Sequence, residues 1–326
     1  MTTLRRIAAN LGLLGALLAV SLPALPRIGE GSATRQPQMN SWGTVLEQLR
    51  KAHEKGDAKA TVAYATMLQR GMGTPADPAG ALAIARQAAR KGNADAALFV
   101  AESLLAGRGA EPDPRGALDS VRTLAQSGNA KAQLLAYQAV KPGGAGLPPE
   151  DRIFGLEMLA QAADQDLAAA KLQLASYFIE KPGIGNRERA RALLAALPAK
   201  SSVLDRISAA LVELEPLGDS PTTIRLMQDA QPLAESGAVA RARELARAGG
   251  TECETPAPVL DAIRPARPLA DAEFLPLDAP GLQKSYLVRG SWSEAWDYSV
   301  CGRPVTVEVL YRADGTGGAS FTADAL

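Results

Sequence analysis

From Gly56 to Gly128 the chain repeats itself without a gap at an offset of 36 residues, the distance from Gly56 to Gly92. Gly56-Asp57-Ala58 overlays Gly92-Asn93-Ala94. The register then holds through Ala60/Ala96, Leu68/Leu104, Gly71/Gly107, Gly73/Gly109, Asp77/Asp113, Pro78/Pro114, Ala81/Ala117, Leu82/Leu118 and Ala89/Ala125 to Gly92/Gly128. Each copy reads as two helices. Small residues run from Ala58 to Gln69, and Gly71-Met72-Gly73 stops that helix with residues suited to a left-handed turn. Asp77 then supplies a capping oxygen ahead of Pro78, whose backbone is preset for a first helical turn. Self-similarity at this period marks stacked helical hairpins, which bury a continuous core between neighbours and present a surface to another macromolecule.

The small-Ala-x-Ala start, the Gly-x-Gly turn, the Asp with Ala four residues on and the Ala-Ala pair before Gly-Asn-Ala resemble the SEL-one-like repeat, a tetratricopeptide-type family. The matching positions are Ala58, Ala60, Ala65, Gly71, Gly73, Asp77, Ala81, Ala88, Ala89 and Gly92, then Ala94, Ala96, Ala101, Gly107, Gly109, Asp113, Ala117, Ala125 and Gly128. The resemblance implies a mainly α fold: a right-handed α-solenoid of helix-turn-helix repeats, non-enzymatic and without a cofactor, that holds another protein in the groove lined by the first helix of each hairpin. The side chains expected to face that partner stand at equivalent positions, Thr66, Glu102, Gln138 and Ser176. Two looser copies follow. In one, Asp151 is expected to resume the capping pattern, and in the next Asn186 stands where Asp77 stood. The family's aromatic late in the first helix is Leu68, Leu104 and Val140 here and returns only as Phe178, and its second-helix Trp is replaced by Ile84, Ser120, Met158 and Leu193; aliphatic substitutes still fill a core.

The organisation expected is a signal peptide over 1–24, a flexible linker over 25–41, SEL-one-like repeats with an N-terminal helix over 42–198, degenerate helical repeats or a cap over 199–250, and a disulfide-linked antiparallel β-module over 251–326. Arg5 and Arg6, the apolar run Leu11 to Val20 and Ser21-Leu22-Pro23-Ala24 form the export signal. The run is short for a membrane span, so a periplasmic or secreted protein with no integral span after signal removal is expected. An inner-membrane tether through an uncleaved anchor is the alternative. Trp42, Val45, Leu46 and Leu49 form an apolar stripe that would cap the open end of the stack.

After Gly250 the pattern changes. Prolines at 256, 258, 265, 268, 276 and 280 rule out long helices and leave an extended or looped arm. Alternation then sets Trp296, Tyr298 and Val300 on one face of a strand, and Val305, Val307, Val309 and Tyr311 on one face of the next. Cys253 and Cys301 are the only two cysteines, and in an exported chain such a pair reads as a disulfide, stabilising by about 4 kcal/mol in the chain-entropy view. The run from Gly290 through Trp292, Glu294 and Trp296 to Cys301-Gly302 resembles a terminal module of uncharacterised exported bacterial proteins.

Catalytic and metal chemistry finds little footing. His53 is the single histidine and reads as a solvated helix residue. The Gly-x-Gly pairs follow helices, whereas a dinucleotide loop follows a strand. Glu252/Glu254 and Asp271/Glu273 read as solvated carboxylates, and Asp314-Gly315 as a hairpin turn. Lys+Arg and Asp+Glu are both 35, which argues against a nucleic-acid binder. The competing reading is a cell-wall glycan or exopolysaccharide held by Trp292 or Trp296; exposed rings would favour it, buried rings the protein scaffold.

Overall fold

The computed structural model describes residues 35–141, 147–197, 202–249, 253 and 256–326, with the backbone alone for 35–40. The expected signal and most of the linker lie outside these residues, as do Glu252 and Glu254. Among the described residues there are eleven α-helices and four strands: α1 (Arg35–Glu54), α2 (Ala58–Arg70), α3 (Pro78–Arg90), α4 (Ala94–Leu105), α5 (Pro114–Gln126), α6 (Ala130–Val140), α7 (Pro149–Asp164), α8 (Ala168–Glu180), α9 (Asn186–Ala195), α10 (Ser202–Glu213), α11 (Ile224–Ala248), β1 (Val259–Phe274), β2 (Leu287–Val300), β3 (Arg303–Ala313) and β4 (Ala319–Ala325). The fold is a mainly α solenoid of helical hairpins with a small antiparallel sheet. Two compact units divide it, one ending at Gln165 and the other beginning at Asp166.

In the first unit the repeat is written in its caps. Asp57, Asn93 and Asn129 accept from the backbone N–H groups of Ala60, Ala96 and Ala132 and so open α2, α4 and α6. Asp77 and Asp113 do the same for α3 and α5 through Gly80 and Gly116. Each satisfies a donor that the helix start would otherwise leave open. The turn glycines are indeed left-handed, with φ of 68° and 79° at Gly71 and Gly73, and 65° and 83° at Gly107 and Gly109. The second glycine of each pair is also where backbone comes closest. A Cβ on Gly73 would sit 2.6 Å from the Trp42 backbone, and one on Gly109 would strike the Pro78 carbonyl.

Those two contacts are the same contact one repeat apart, so α1 packs on the first hairpin as α3 packs on the second. Helix α1 thus takes, against the first hairpin, the packing position that α3 takes against the second. That explains its stripe: Val45 stands where Ala81 stands in α3, yet Val45 is 38% exposed and Ala81 0%. Trp42 is 42% exposed. The helix also starts at Arg35 and not at Trp42, because Pro37 falls in the first turn, where no intrahelical N–H bond is needed.

Two expected caps are something else. Helix α7 opens at Pro149 without a side-chain cap, and Asp151, buried inside it, takes Arg115 at 2.6 Å and Arg122 as ion-pair partners from the preceding repeat. Asn186 is the first residue of α9 after Gly185 at φ 72°, and its side chain bridges the carbonyls of Lys181 and Ser285, both at 3.0 Å. In both places the turn is longer or differently closed, so the side chain falls past the N-cap. Ahead of α8 the glycine position is held by Asp166 at φ 61°, with Lys171 on its carboxylate at 2.6 Å.

The second unit sets α8 to α11 beside a sheet of strand order β1-β2-β3-β4, antiparallel throughout. The proline-rich arm is β1, an edge strand whose register with β2 shifts repeatedly around Pro265, Arg267 and Ala270. Proline fits there because an edge strand can spare ladder donors. β2 and β3 pair Trp292 with Tyr311, Glu294 with Val309, Trp296 with Val307 and Tyr298 with Val305. All eight are essentially buried on one face. Helix α11 meets that face with Ala230, Ala234, Ala238, Ala242 and Ala246, each at most 2% exposed. Alanine at every fourth position lets a helix lie close over large rings. Cys253 and Cys301 form a disulfide with Cα atoms 6.0 Å apart, tying the chain after α11 to the β2–β3 turn.

Candidate functional site

The first helices of the hairpins, α2, α4 and α6, lie side by side in the first unit. Thr66 is half-buried, its hydroxyl turned back to the Val62 carbonyl at 2.8 Å. Glu102 is also half-buried and reaches Lys131 of the next repeat at 2.8 Å. Gln138 is half-buried, and its Nε2 is enclosed without a hydrogen-bond partner. Ser176 in α8 differs: at 3% exposure it offers no surface to a partner, so it leaves the set of candidate contact residues. The reason is local, since the whole C-terminal half of α8 from Gln173 to Ile179 is buried within the second unit.

Neighbouring repeats are stitched by Gln69 to Ser103 at 2.9 Å, and within one hairpin the end of α7 is tied to α6 by Gln165 to Gln133 at 2.8 Å. Arg86, Leu104, Glu111, Asp113, Arg115 and Leu147 border a hollow of about 470 Å³. Of its polar groups, Asp113 caps α5 and Arg115 pairs with Asp119 and Asp151.

His53 is not a solvated side chain. Its Nδ1 lies 2.9 Å from Thr61 Oγ1, and its ring stacks on Tyr64 at 5.7 Å. Because the Thr61 hydroxyl already donates to the Asp57 carbonyl, Thr61 Oγ1 accepts and Nδ1 carries the proton. The histidine joins α1 to α2. Among the described residues no group of three or more His, Cys, Asp or Glu side chains is placed to hold a metal. Asp314 Oδ1 accepts from the N–H of Thr316 and of Gly318 and closes a turn. Asp271 and Glu273 are exposed, with Glu273 paired to Arg289.

The second unit holds a polar core that the sequence reading missed. Arg187, 8% exposed, donates to the carbonyls of Leu214, Gly218, Ser220 and Thr222 at 2.5–3.0 Å. Glu294, fully buried on the inner face of β2, accepts from Ser220 Oγ at 2.9 Å and Trp296 Nε1 at 3.2 Å. Trp292 Nε1 donates to Thr222 Oγ1 at 2.7 Å. Burial pushes the Glu294 carboxyl up, with these hydrogen bonds and Arg187 drawing it back. Burial pulls Arg187 below the usual arginine range, and drives the Tyr298 and Tyr311 hydroxyls far above theirs. The cluster is closed to solvent and fixes the loop between α10 and α11. Its signal was an acid amid an apolar alternation, Trp292-x-Glu294-x-Trp296.

Both tryptophans are 1% exposed. Trp292 stacks on Tyr311 at 5.3 Å. They are the core of the sheet.

The capped, glycine-turned hairpins at a constant spacing decide the architecture. Their punctuation resembles that of the SEL-one-like repeat. No family model matches the chain, and no curated protein does. Two similar solved structures are a Sel1 repeat protein from Oxalobacter formigenes and a protective antigen of uropathogenic Escherichia coli strains that displays an SLR fold. The first is 19% identical over 48% of this chain and 70% of its own, with a TM-score of 0.39. The second is 18% identical over 66% of this chain and 57% of its own, with a TM-score of 0.33. No described helix is long and apolar enough to cross a membrane.

Proposed function

We propose that this chain is an exported, non-enzymatic scaffold of the cell envelope that holds another protein on the face formed by α2, α4 and α6. One observation carries this: the hairpins repeat in register, so Thr66, Glu102 and Gln138 recur at one position on adjacent helices and remain partly open. A partner segment laid across them would meet the open part of Thr66 and Gln138 and the Glu102 carboxylate with its Lys131 partner. The organisation proposed keeps a signal over 1–24, which would be cleaved or retained as an anchor, ahead of the repeats. The disulfide is compatible with an oxidising compartment.

A glycan on the β-module is the weaker reading. Sugar stacking needs an open aromatic face, and Trp292 and Trp296 have none to offer.

The test is capture of envelope proteins by the full chain and by a Glu102→Lys, Gln138→Ala double variant. Loss of a specific protein by tenfold or more, with the thermal transition unchanged, supports the face. Equal capture by both forms rejects it. A cut at Gly250 is unsuitable, because it strips α11 of the sheet that covers its alanine stripe.

A further inference from the structure

The two edges of the sheet are not alike. β1 carries Pro265 and Pro268 and slips register against β2, devices that keep an edge from recruiting another strand. β4, Ala-Ser-Phe-Thr-Ala-Asp-Ala, pairs with β3 over its whole length without a bulge and holds no proline, lysine or arginine. The ladder fixes which of its groups are free. Asp314 N donates to the Gly318 carbonyl at 3.2 Å and Leu326 N to the Thr306 carbonyl at 2.9 Å, so the even positions of β4 bond to β3. The backbone N–H and C=O groups of Ala319, Phe321, Ala323 and Ala325 therefore point outward.

We propose that β4 is the docking edge for a second copy of this chain, paired antiparallel about a two-fold axis at Thr322 to give one sheet continuous across both protomers. In this register Ala319 meets Ala325 and Phe321 meets Ala323, so all four outward residues exchange hydrogen bonds. Registers centred on Phe321 or Ala323 leave one of the four unpaired. The side chains suit the axis. Thr322 faces Thr322, a favourable cross-strand pair, and Ser320 stands opposite Asp324, so no like charges oppose each other. Phe321, half-buried against Tyr311 at 6.2 Å, gains the small Ala323 beside it. Helix α11 rides over β3 and β4. Its mate then lies on the same face about two strand spacings away, roughly 10 Å, which is a helix-packing distance. The interface is isologous and closes on itself.

The experiment is sedimentation of the full-length protein across a wide concentration range. The expected result is a concentration-dependent mass of twice the chain. Ala323→Pro removes an N–H that β3 does not use, so it yields a monomer with an unchanged thermal transition. If that variant folds poorly, Thr322→Lys at an exposed position makes the same test by placing two ammonium groups at the axis. Thr322→Cys gives a covalent dimer on mild oxidation, since the pair at the axis is a close, non-hydrogen-bonded one. A monomer at every concentration overturns the proposal. So does a dimer that survives both Ala323→Pro and Thr322→Lys, or an edge filled by an unrelated extended peptide.

Discussion

Ser220 Oγ donates to Glu294 Oε1 at 2.9 Å, joining the loop ahead of α11 to the middle of β2 through the interior of the second unit. The same loop is gripped from its other side by Arg187, whose guanidinium meets the carbonyls of Leu214, Gly218, Ser220 and Thr222. Two buried charges of opposite sign, one from a repeat helix and one from the sheet, thus hold one loop in place.

Removing the acid should be costly. Glu294→Ala leaves the Trp296 indole without its acceptor, the Ser220 hydroxyl with Thr222 Oγ1 in place of the carboxylate and Arg187 without its nearby anion, so a loss of about 3–5 kcal/mol is expected. Denaturant unfolding followed by fluorescence of the buried tryptophans would measure it.

The pH dependence has a definite sign. The folded carboxyl of Glu294 is raised above its ordinary value of 4.5, chiefly by burial. Stability from this group is complete below that range and is lost as pH rises through the folded value. Asp297 works the other way: burial alone would raise it, but Thr306 and Arg264 hold it low, so its contribution is lost on acidification. The difference in melting temperature between the natural chain and Glu294→Gln should therefore fall as pH rises from acid toward neutrality. A flat difference would mean that folding leaves the Glu294 carboxyl at its ordinary pKa.

Arg187→Lys keeps the charge but not the fork. One ammonium cannot satisfy four carbonyls at the spacing the guanidinium meets, and a loss of about 2–4 kcal/mol is expected. Faster amide exchange across residues 214–223 would report the released loop.

Two glycines separate strain from contact. Gly128 has φ 94° and open space around a would-be Cβ, whereas Gly109 has φ 83° and faces the Pro78 carbonyl. Gly128→Ala should cost about 1 kcal/mol from backbone strain alone, and Gly109→Ala should cost more by about 2 kcal/mol or beyond, because the first two hairpins must part. Thermal denaturation of the pair side by side gives the comparison.

The alanine stripe can be tested by size. Ala238→Leu drives a larger side chain between α11 and the sheet and should destabilise by about 1–3 kcal/mol or more, while Ala240→Leu, on the exposed side, should change little.

The repeats were legible because their information is local. Asp57, Asp77, Asn93, Asp113 and Asn129 each cap a helix that begins next to them, and the glycines sit where left-handed backbone is needed, so a fixed spacing in sequence becomes a fixed spacing in space. The alternation of Trp296, Tyr298 and Val300 likewise told which side of a strand is buried, because successive side chains of a strand point to opposite faces. Where local punctuation was borrowed for another purpose the reading failed: Asp151 pairs with arginines of the preceding repeat, Asn186 bridges two carbonyls, and Ser176 is enclosed.

The sequence by itself determined the hairpin stack, the strand faces and the pairing of the two cysteines. Only the tertiary structure decided that the proline-rich arm is an edge strand, that α11 lies on the sheet through its alanines, and that Arg187 and Glu294 hold the same loop. Those outcomes depend on which surfaces meet across long stretches of chain. A buried charge looks the same in sequence as a solvated one until its partners are in place.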